Sequence, residues 1–226
     1  RKTMKKNTII FDLDGTLIDS VPDIAISVKK MMQTLSDKIP SENDVRTWVG
    51  NGSLKLVQRA LDWANLPRTP DEIEAAHRVF LDYYRENVFN QTKEYPNVTK
   101  NLDKLIQAGF CLNIATNKPV EFVPDILAGL GWQDKFQLVL GGNSLPVKKP
   151  NPLPLLHICE KLGISTNQAI MIGDSKNDVE AGKSAHITTL ALTYGYNYDT
   201  PISHSNPDGV FDDFDELTNF ILKTYH

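Results

Sequence analysis

Cysteine is scarce in this 226-residue chain, with only Cys111 and Cys159 present. One falls in an expected strand and the other in an expected helix. Both therefore read as buried thiols rather than a bridge or a metal pair, which fits a reducing cytoplasm. Positive charge is not in surplus: 24 Lys and Arg against 28 Asp and Glu leave a formal charge of −4. That balance gives no basic surface of the kind a nucleic-acid binder needs. Long apolar runs are missing too. Nothing approaches the roughly 20 residues of a membrane span, and no signal-peptide core lies near the start. The expectation is a cytoplasmic protein, monomer or homodimer, with no nucleic-acid or membrane partner. Arg1-Lys2-Thr3 carry no functional weight, and Met4 reads as the native start.

What is present is patterned. Hydrophobic and charged contents of 41% and 23% are ordinary for a globular protein, and the length suits one large domain or a core with an insert. Short apolar runs occur at 8–13, 110–115, 138–141, 169–172, 188–192 and, more weakly, 209–211. Amphipathic helical stretches separate the later ones. Examples are Leu102, Leu105 and Ile106 before Gly109; Leu155, Leu156, Cys159 and Leu162 before Gly163; and Phe214, Leu217 and Ile221. The expected fold class is α/β, a Rossmann-like parallel sheet with helices on both faces. In such sheets ligands bind at the carboxyl ends of the strands.

Between Ser20 and Pro96 the pattern changes. No strand is expected there, and apolar residues recur at helical spacing: Ile24, Val28, Met31 and Leu35; Leu54, Val57, Leu61 and Ala64; Ile73, Ala76, Phe80 and Tyr83. This predicts an inserted all-helical cap over residues 20–96, placed after the first strand as a lid. The catalytic core is then 4–19 and 97–226.

Four strand ends carry candidate chemistry. The first run delivers Asp12 and Asp14, spaced i and i+2, to a turn at Gly15. Two buried like charges are costly unless a cation or a shared proton compensates. A carboxylate can attack phosphorus, and a second carboxyl can pass a proton to the leaving group. The plainer alternative is an Asp-Gly turn. Thr116 and Asn117 follow the second run and could hold a phosphoryl oxygen or simply form a turn. Lys149, next to Pro150, could offset the clustered charge, whereas Lys148 reads as solvated. Asp174 and Asp178 follow the run at 169–172. Hard oxygen ligands of this kind suit Mg²⁺, although Asp178 also suits a helix N-cap or first turn.

The string Phe11-Asp12-Leu13-Asp14-Gly15-Thr16, with Thr116, Lys149-Pro150 and Gly173-Asp174 following in order, resembles the haloacid dehalogenase-like hydrolases throughout the chain. The resemblance implies that Asp12 is a nucleophile and Asp14 its acid/base. It implies that Thr116 and Asn117 bind the phosphoryl group and that Lys149 is the functional lysine. Mg²⁺ would be held by Asp12, Asp174 and the backbone carbonyl of Asp14. Asp178 would act through water or orient the lysine and metal. The substrate class is a small phosphorylated metabolite.

The cap must choose the substrate. Gly50-Asn51-Gly52 permits a tight turn presenting N–H groups at a helix start, and Arg59 could pair with a carboxylate. An ordinary helix–helix turn is the alternative. The run Val49–Gly52 and the stretch 141–150 resemble the phosphoglycolate-hydrolysing branch of that family. Other small-molecule phosphatases, a β-phosphoglucomutase-like phosphotransferase and a catalytically silent binding protein remain open. The dehalogenase branch is disfavoured because it does not use the acid/base at Asp14. His77 reads as a packed or hydrogen-bonded histidine. His157, His186 and His204 have no metal-ligand spacing, and Tyr194, Tyr196 and Tyr198 read as surface or edge packing.

Overall fold

The run ending at Asp12 is buried on both sides. In this computed structural model, which describes residues 5–226, Ile9 and Phe11 enter one apolar cluster and Ile10 enters another. Side chains alternate across a strand, so the unbroken apolar run Ile9-Ile10-Phe11 suits a sheet covered on both faces. Full burial of each such side chain contributes roughly 1.5–3 kcal/mol. The reading of Met4 as the start lies outside the described residues.

The chain opens with β1 (Thr8–Phe11), β2 (Ile18–Asp19), α1 (Val21–Gln33), α2 (Glu42–Arg46), α3 (Ser53–Trp63), α4 (Pro70–Glu86) and β3 (Lys93–Glu94). It continues with α5 (Val98–Gln107), β4 (Cys111–Ala115), α6 (Val123–Leu130), β5 (Val139–Leu140), α7 (Leu153–Leu162), β6 (Ala169–Gly173), α8 (Lys176–Ser184), β7 (Thr188–Leu192), β8 (Gly209–Phe211) and α9 (Phe214–Tyr225). Six strands form one parallel sheet in the order β5-β4-β1-β6-β7-β8. Leu102 and Leu105 of α5 and Leu217 and Ile221 of α9 pack on one face. Leu155 and Ile158 of α7 and Ala181 of α8 cover the other. The sheet is the expected α/β architecture. Because β1 lies between β4 and β6, Asp12, Thr116 and Asp174 emerge side by side at the same sheet edge, where the topology opens a crevice.

The insert is helical, α1 to α4, with one departure from expectation. β2 and β3 pair antiparallel, Ile18 opposite Glu94 and Asp19 opposite Lys93, as a short ribbon at its base. Two residues per strand are too few to leave a periodic signal. The return crossing is tied by Asp23, which is fully buried. Its carboxylate accepts from the backbone N–H groups of Asn90, Gln91 and Thr92 and from the Thr92 hydroxyl. The helical stripe of α4 also differs: Ala76, Phe80 and Tyr84 are buried, not Tyr83. Spacing of i, i+4 and i+8 from Ala76 selects Tyr84. Leu35 lies beyond the end of α1 and is exposed, as is Leu54 in the first turn of α3. Both cysteines are free thiols. Among the described residues no helix is long and apolar enough to cross a membrane.

Candidate active site

The turn after β1 is set by Gly15, whose φ of +86° favours glycine. A Cβ there would also lie 2.1 Å from Asp174 Oδ2, so a side chain cannot enter. Asp12 Oδ1 accepts the Leu13 N–H at 2.7 Å and lies 3.1 Å from Lys149 Nζ. Asp14 Oδ1 accepts the Ser20 hydroxyl and lies 3.3 Å from Lys118 Nζ.

The end of β6 supplies the other acids. Asp174 Oδ1 accepts the Thr16 hydroxyl at 2.7 Å, and Oδ2 accepts the Tyr196 N–H at 2.6 Å. Asp178 serves twice. Its Oδ2 accepts the N–H groups of Asp174 and Ser175, the capping box that starts α8, and its Oδ1 accepts from Lys149 Nζ at 2.6 Å. With both oxygens so engaged, Asp178 fits an orienter of the lysine better than a direct metal ligand. Lys149 is buried and Lys148 exposed, the division expected from the Lys-Pro pattern.

Electrostatics marks this cluster as short of positive charge. Burial pushes the Asp12 carboxyl up to about 7, and Asp178 adds to the rise while Lys149 opposes it. Burial, followed by Asp12 and Asp178, holds Asp174 well above the usual carboxylate range. For Lys149, burial works to lower the pKa, but Asp12 and Asp178 together outweigh it and raise it. Around the turn, Asp12, Asp14, Asp174 and Asp178 face the ammonium groups of Lys118 and Lys149. Two negative charges are left over, the deficit a divalent cation would fill. Asp12, Asp174 and Asp178 bring ligand oxygens within 4.8 Å of one another, and an all-oxygen donor set suits a hard divalent ion.

Above the acids lies a cavity of about 60 Å³, lined by Asp12, Asp14 and Thr116 on one side and by α1, α3, α4 and the Gly50–Ser53 turn on the other. This is far below the roughly 300–1,000 Å³ of drug-sized sites, so only a small ligand fits. The Thr116 hydroxyl accepts the Lys118 N–H at 3.1 Å and keeps its own proton for a ligand.

An acid at the end of the central strand, a buried lysine and a second acidic strand end lie in one crevice. The haloacid dehalogenase-like hydrolase profile matches residues 9–192. The chain belongs to that family. Among its relatives is a phosphoglycolate phosphatase of Psychrobacter arcticus, 50% identical over 226 residues and aligned over 98% of each chain. One from Haemophilus influenzae is 44% identical over 215 residues, 93% of this chain and 96% of the relative. The crystal structure of a predicted phosphoglycolate phosphatase from Haemophilus somnus superposes with a TM-score of 0.90 at 43% identity, covering 96% and 97% of the two chains.

Within this family site the expected residues separate by role. Asp12, Asp14, Thr116, Asn117, Gly50 and Gly52 line the cavity. The side-chain amide of Asn117 is committed elsewhere: it donates to the carbonyls of Gly50 and Lys149 and accepts the Lys149 N–H. Asn51 and Arg59 lie outside the cavity lining. Arg59 donates to Asn51 Oδ1 and to the Trp48 carbonyl, each at 2.7 Å, so it braces the turn rather than facing a ligand. Gly50 has φ +137°, and a Cβ there would meet the Tyr198 hydroxyl at 2.5 Å. His77 is hydrogen-bonded to Ser53 Oγ at 2.8 Å.

Several residues escaped the sequence reading. Lys118 and Tyr84 meet across the cap–core boundary at 2.5 Å. Tyr196 is buried, and its hydroxyl accepts from the N–H groups of Ser20 and Val21 and donates to Asp19. Tyr194 donates to the Thr16 carbonyl at 2.6 Å. Tyr198, at φ +53°, donates to Asn51 and accepts from Asn177. The three tyrosines thus join the last core loop to the turn and cap instead of packing on the surface. Their alternation after β7, toward the sheet's ligand edge, was the available signal.

Proposed function

We propose that this chain is a Mg²⁺-dependent phosphomonoester hydrolase that converts 2-phosphoglycolate and water into glycolate and phosphate. The observation that carries the reading is the pair Asp12 and Asp14 at the central strand end, beside Lys149 and the Asp174 carboxylate. The small cavity and the relatives named phosphoglycolate phosphatase support the choice of substrate. The core at 4–19 and 97–226 performs the chemistry, and the cap at 20–96 encloses it. Two free thiols suit a cytoplasmic setting.

In the first step an Asp12 oxygen attacks phosphorus while the bond from phosphorus to the glycolate oxygen breaks, giving an acyl phosphate on Asp12. Asp14 donates its proton to the departing oxygen. In the second step Asp14, now ionised, takes a proton from water; the hydroxide attacks phosphorus and frees Asp12 and phosphate. Ser20 and Lys118 hold the Asp14 carboxyl in place. Lys149 and the Thr116 hydroxyl stabilise the phosphoryl charge, and Asp178 fixes the ammonium of Lys149. Asp12, Asp174 and the Asp14 carbonyl would hold Mg²⁺, which when bound would supply positive charge to offset that of the phosphoryl group.

The test is phosphate release with Mg²⁺ across a panel of small phosphoesters and sugar phosphates. 2-Phosphoglycolate is expected among the best substrates. If it ranks among the poorest while others turn over, the substrate assignment fails. Isomerisation of a sugar phosphate without phosphate release would point to a phosphotransferase instead.

A further inference from the structure

The cavity wall opposite the acids is apolar: Ile24, Val49, Leu56, Phe80 and Phe122 form most of it. Among the described residues lining this cavity, Lys118 is the only cation. It is 7% exposed, and its Nζ lies 3.3 Å from Asp14 Oδ1 and donates to the Tyr84 hydroxyl at 2.5 Å. Tyr84 comes from the cap helix α4 and is itself buried. By accepting from Lys118 it keeps its own phenolic proton for an acceptor in the cavity.

Position gives this pair its meaning. Asp14 is the group that protonates the leaving oxygen, so whatever the phosphoryl group departs from must lie next to Asp14. Lys118 touches Asp14, and Lys149 does not line the cavity. Asp14 is the carboxyl beside Lys118, and once it carries the proton it passes to the leaving oxygen, the buried ammonium is left without an anion, which is costly unless the ligand supplies one. We propose that Lys118, together with the Tyr84 hydroxyl, reads a carboxylate on the leaving group and so selects anionic over neutral phosphoesters. The inference rests on the phosphomonoesterase reading and names the residue that sets its specificity. The cap contributes through Tyr84, so selection is completed only where cap and core meet.

The experiment compares 2-phosphoglycolate with 2-hydroxyethyl phosphate, which replaces the carboxylate by a neutral alcohol. The wild-type enzyme is expected to favour 2-phosphoglycolate in kcat/KM by roughly 10- to 100-fold, the range for one hydrogen bond to a charged group. Lys118→Met lowers turnover of both esters, because it also loosens Asp14, but the ratio should collapse to within about threefold of unity. Lys118→Arg keeps the charge and should keep most of the ratio. Tyr84→Phe, which leaves the lysine in place, should reduce the ratio by only a few-fold.

A wild-type ratio near unity overturns the inference without any variant. So does a Lys118→Met enzyme that retains the wild-type ratio, even with 2-phosphoglycolate a good substrate; the substrate reading would then stand alone. Conversely, 2-phosphoglycolate could prove poor while 2-phospholactate outperforms its neutral counterpart in a Lys118-dependent way. In that case the carboxylate reader stands and the substrate name falls.

Discussion

The two walls of the active-site cavity are built by different means. Asp12, Asp14 and Thr116 line the lower wall after the ends of β1 and β4, and behind them stand Asp174 after β6, Asp178 in the first turn of α8 and Lys149 in the loop before α7. Its fixed points are backbone: the β1–β6 pairing, the Gly15 turn and the capping box of α8. The upper wall is held by contacts between cap and core: Tyr84 with Lys118 and Asn117 with Gly50 in the lining, and Tyr198 with Asn51 behind it. The lower wall carries unbalanced charge and the proposed reaction, whereas the upper wall is mostly apolar and carries the proposed choice of substrate. One is rigid by construction, and the other depends on how the insert seats.

The largest effect should come from the lower wall. Asp12→Asn removes the proposed nucleophile while preserving shape, so kcat should fall by at least ~10³-fold with the far-UV circular dichroism unchanged. Retained phosphate release in a folded variant would sink the covalent route and the assignment of Asp12. The same variant tests the charge deficit. The folded pKa of Asp12 lies above its unfolded value, so the folded protein holds an extra proton. That contribution is complete below about pH 4 and is lost as the pH rises through about 7. In metal-free buffer, Asp12→Asn should therefore gain on the wild type across that window, by at most on the order of 3–4 kcal/mol. Mg²⁺ should raise wild-type stability near pH 7 and the variant's less. Urea melts at several pH values read both effects.

Next in size is the anchor of the upper wall. Asp23→Ala leaves the N–H groups of Asn90, Gln91 and Thr92 without their acceptor. Orphaned buried donors and a lost charged acceptor should cost about 3 kcal/mol in stability. Asp23 does not line the cavity, so the chemistry step in the folded enzyme should change little. A stability loss below ~1 kcal/mol would mean that the β2–β3 ribbon seats the cap by itself.

The same contrast governs what could be read from the chain. The lower wall was legible because its residues follow apolar runs at short, fixed offsets: Asp12 after Phe11, Asp174 after Gly173, Lys149 before Pro150. Strand period and like-charge cost act locally, and both survive in a sequence. The upper wall was not. Lys118 stood in plain view beside Asn117, but its partners Tyr84 and Asp14 lie 34 and 104 residues away in the chain. Tyr84 was missed by one position on α4, a shift of about 100° around the helix. On sequence Arg59 suits a ligand group, because a helix-borne guanidinium near a Gly-rich turn suits an anion. Its fork instead closes on Asn51 and Trp48. Such choices depend on which neighbour a long side chain finds, and local periodicity does not encode that.

The smallest predicted effect is the most specific to the seam. The Tyr198 hydroxyl donates to Asn51 Oδ1 and accepts from Asn177 Nδ2, linking the last core loop to the cap turn. The residue sits at φ +53°, a conformation uncommon for a bulky side chain and more often kept where it serves function. Tyr198→Phe retains the ring, which also lies beside the Arg59 guanidinium at 5.1 Å, and removes only the hydroxyl. A single neutral hydrogen bond is worth about 1 kcal/mol, so KM for 2-phosphoglycolate should rise roughly three- to fivefold. The kcat should hold within about twofold, because nothing at Asp12, Asp14 or Lys149 is touched. A fall in kcat with KM unchanged would contradict this division, placing the Tyr198 link in the chemical step and joining the upper wall to the lower one.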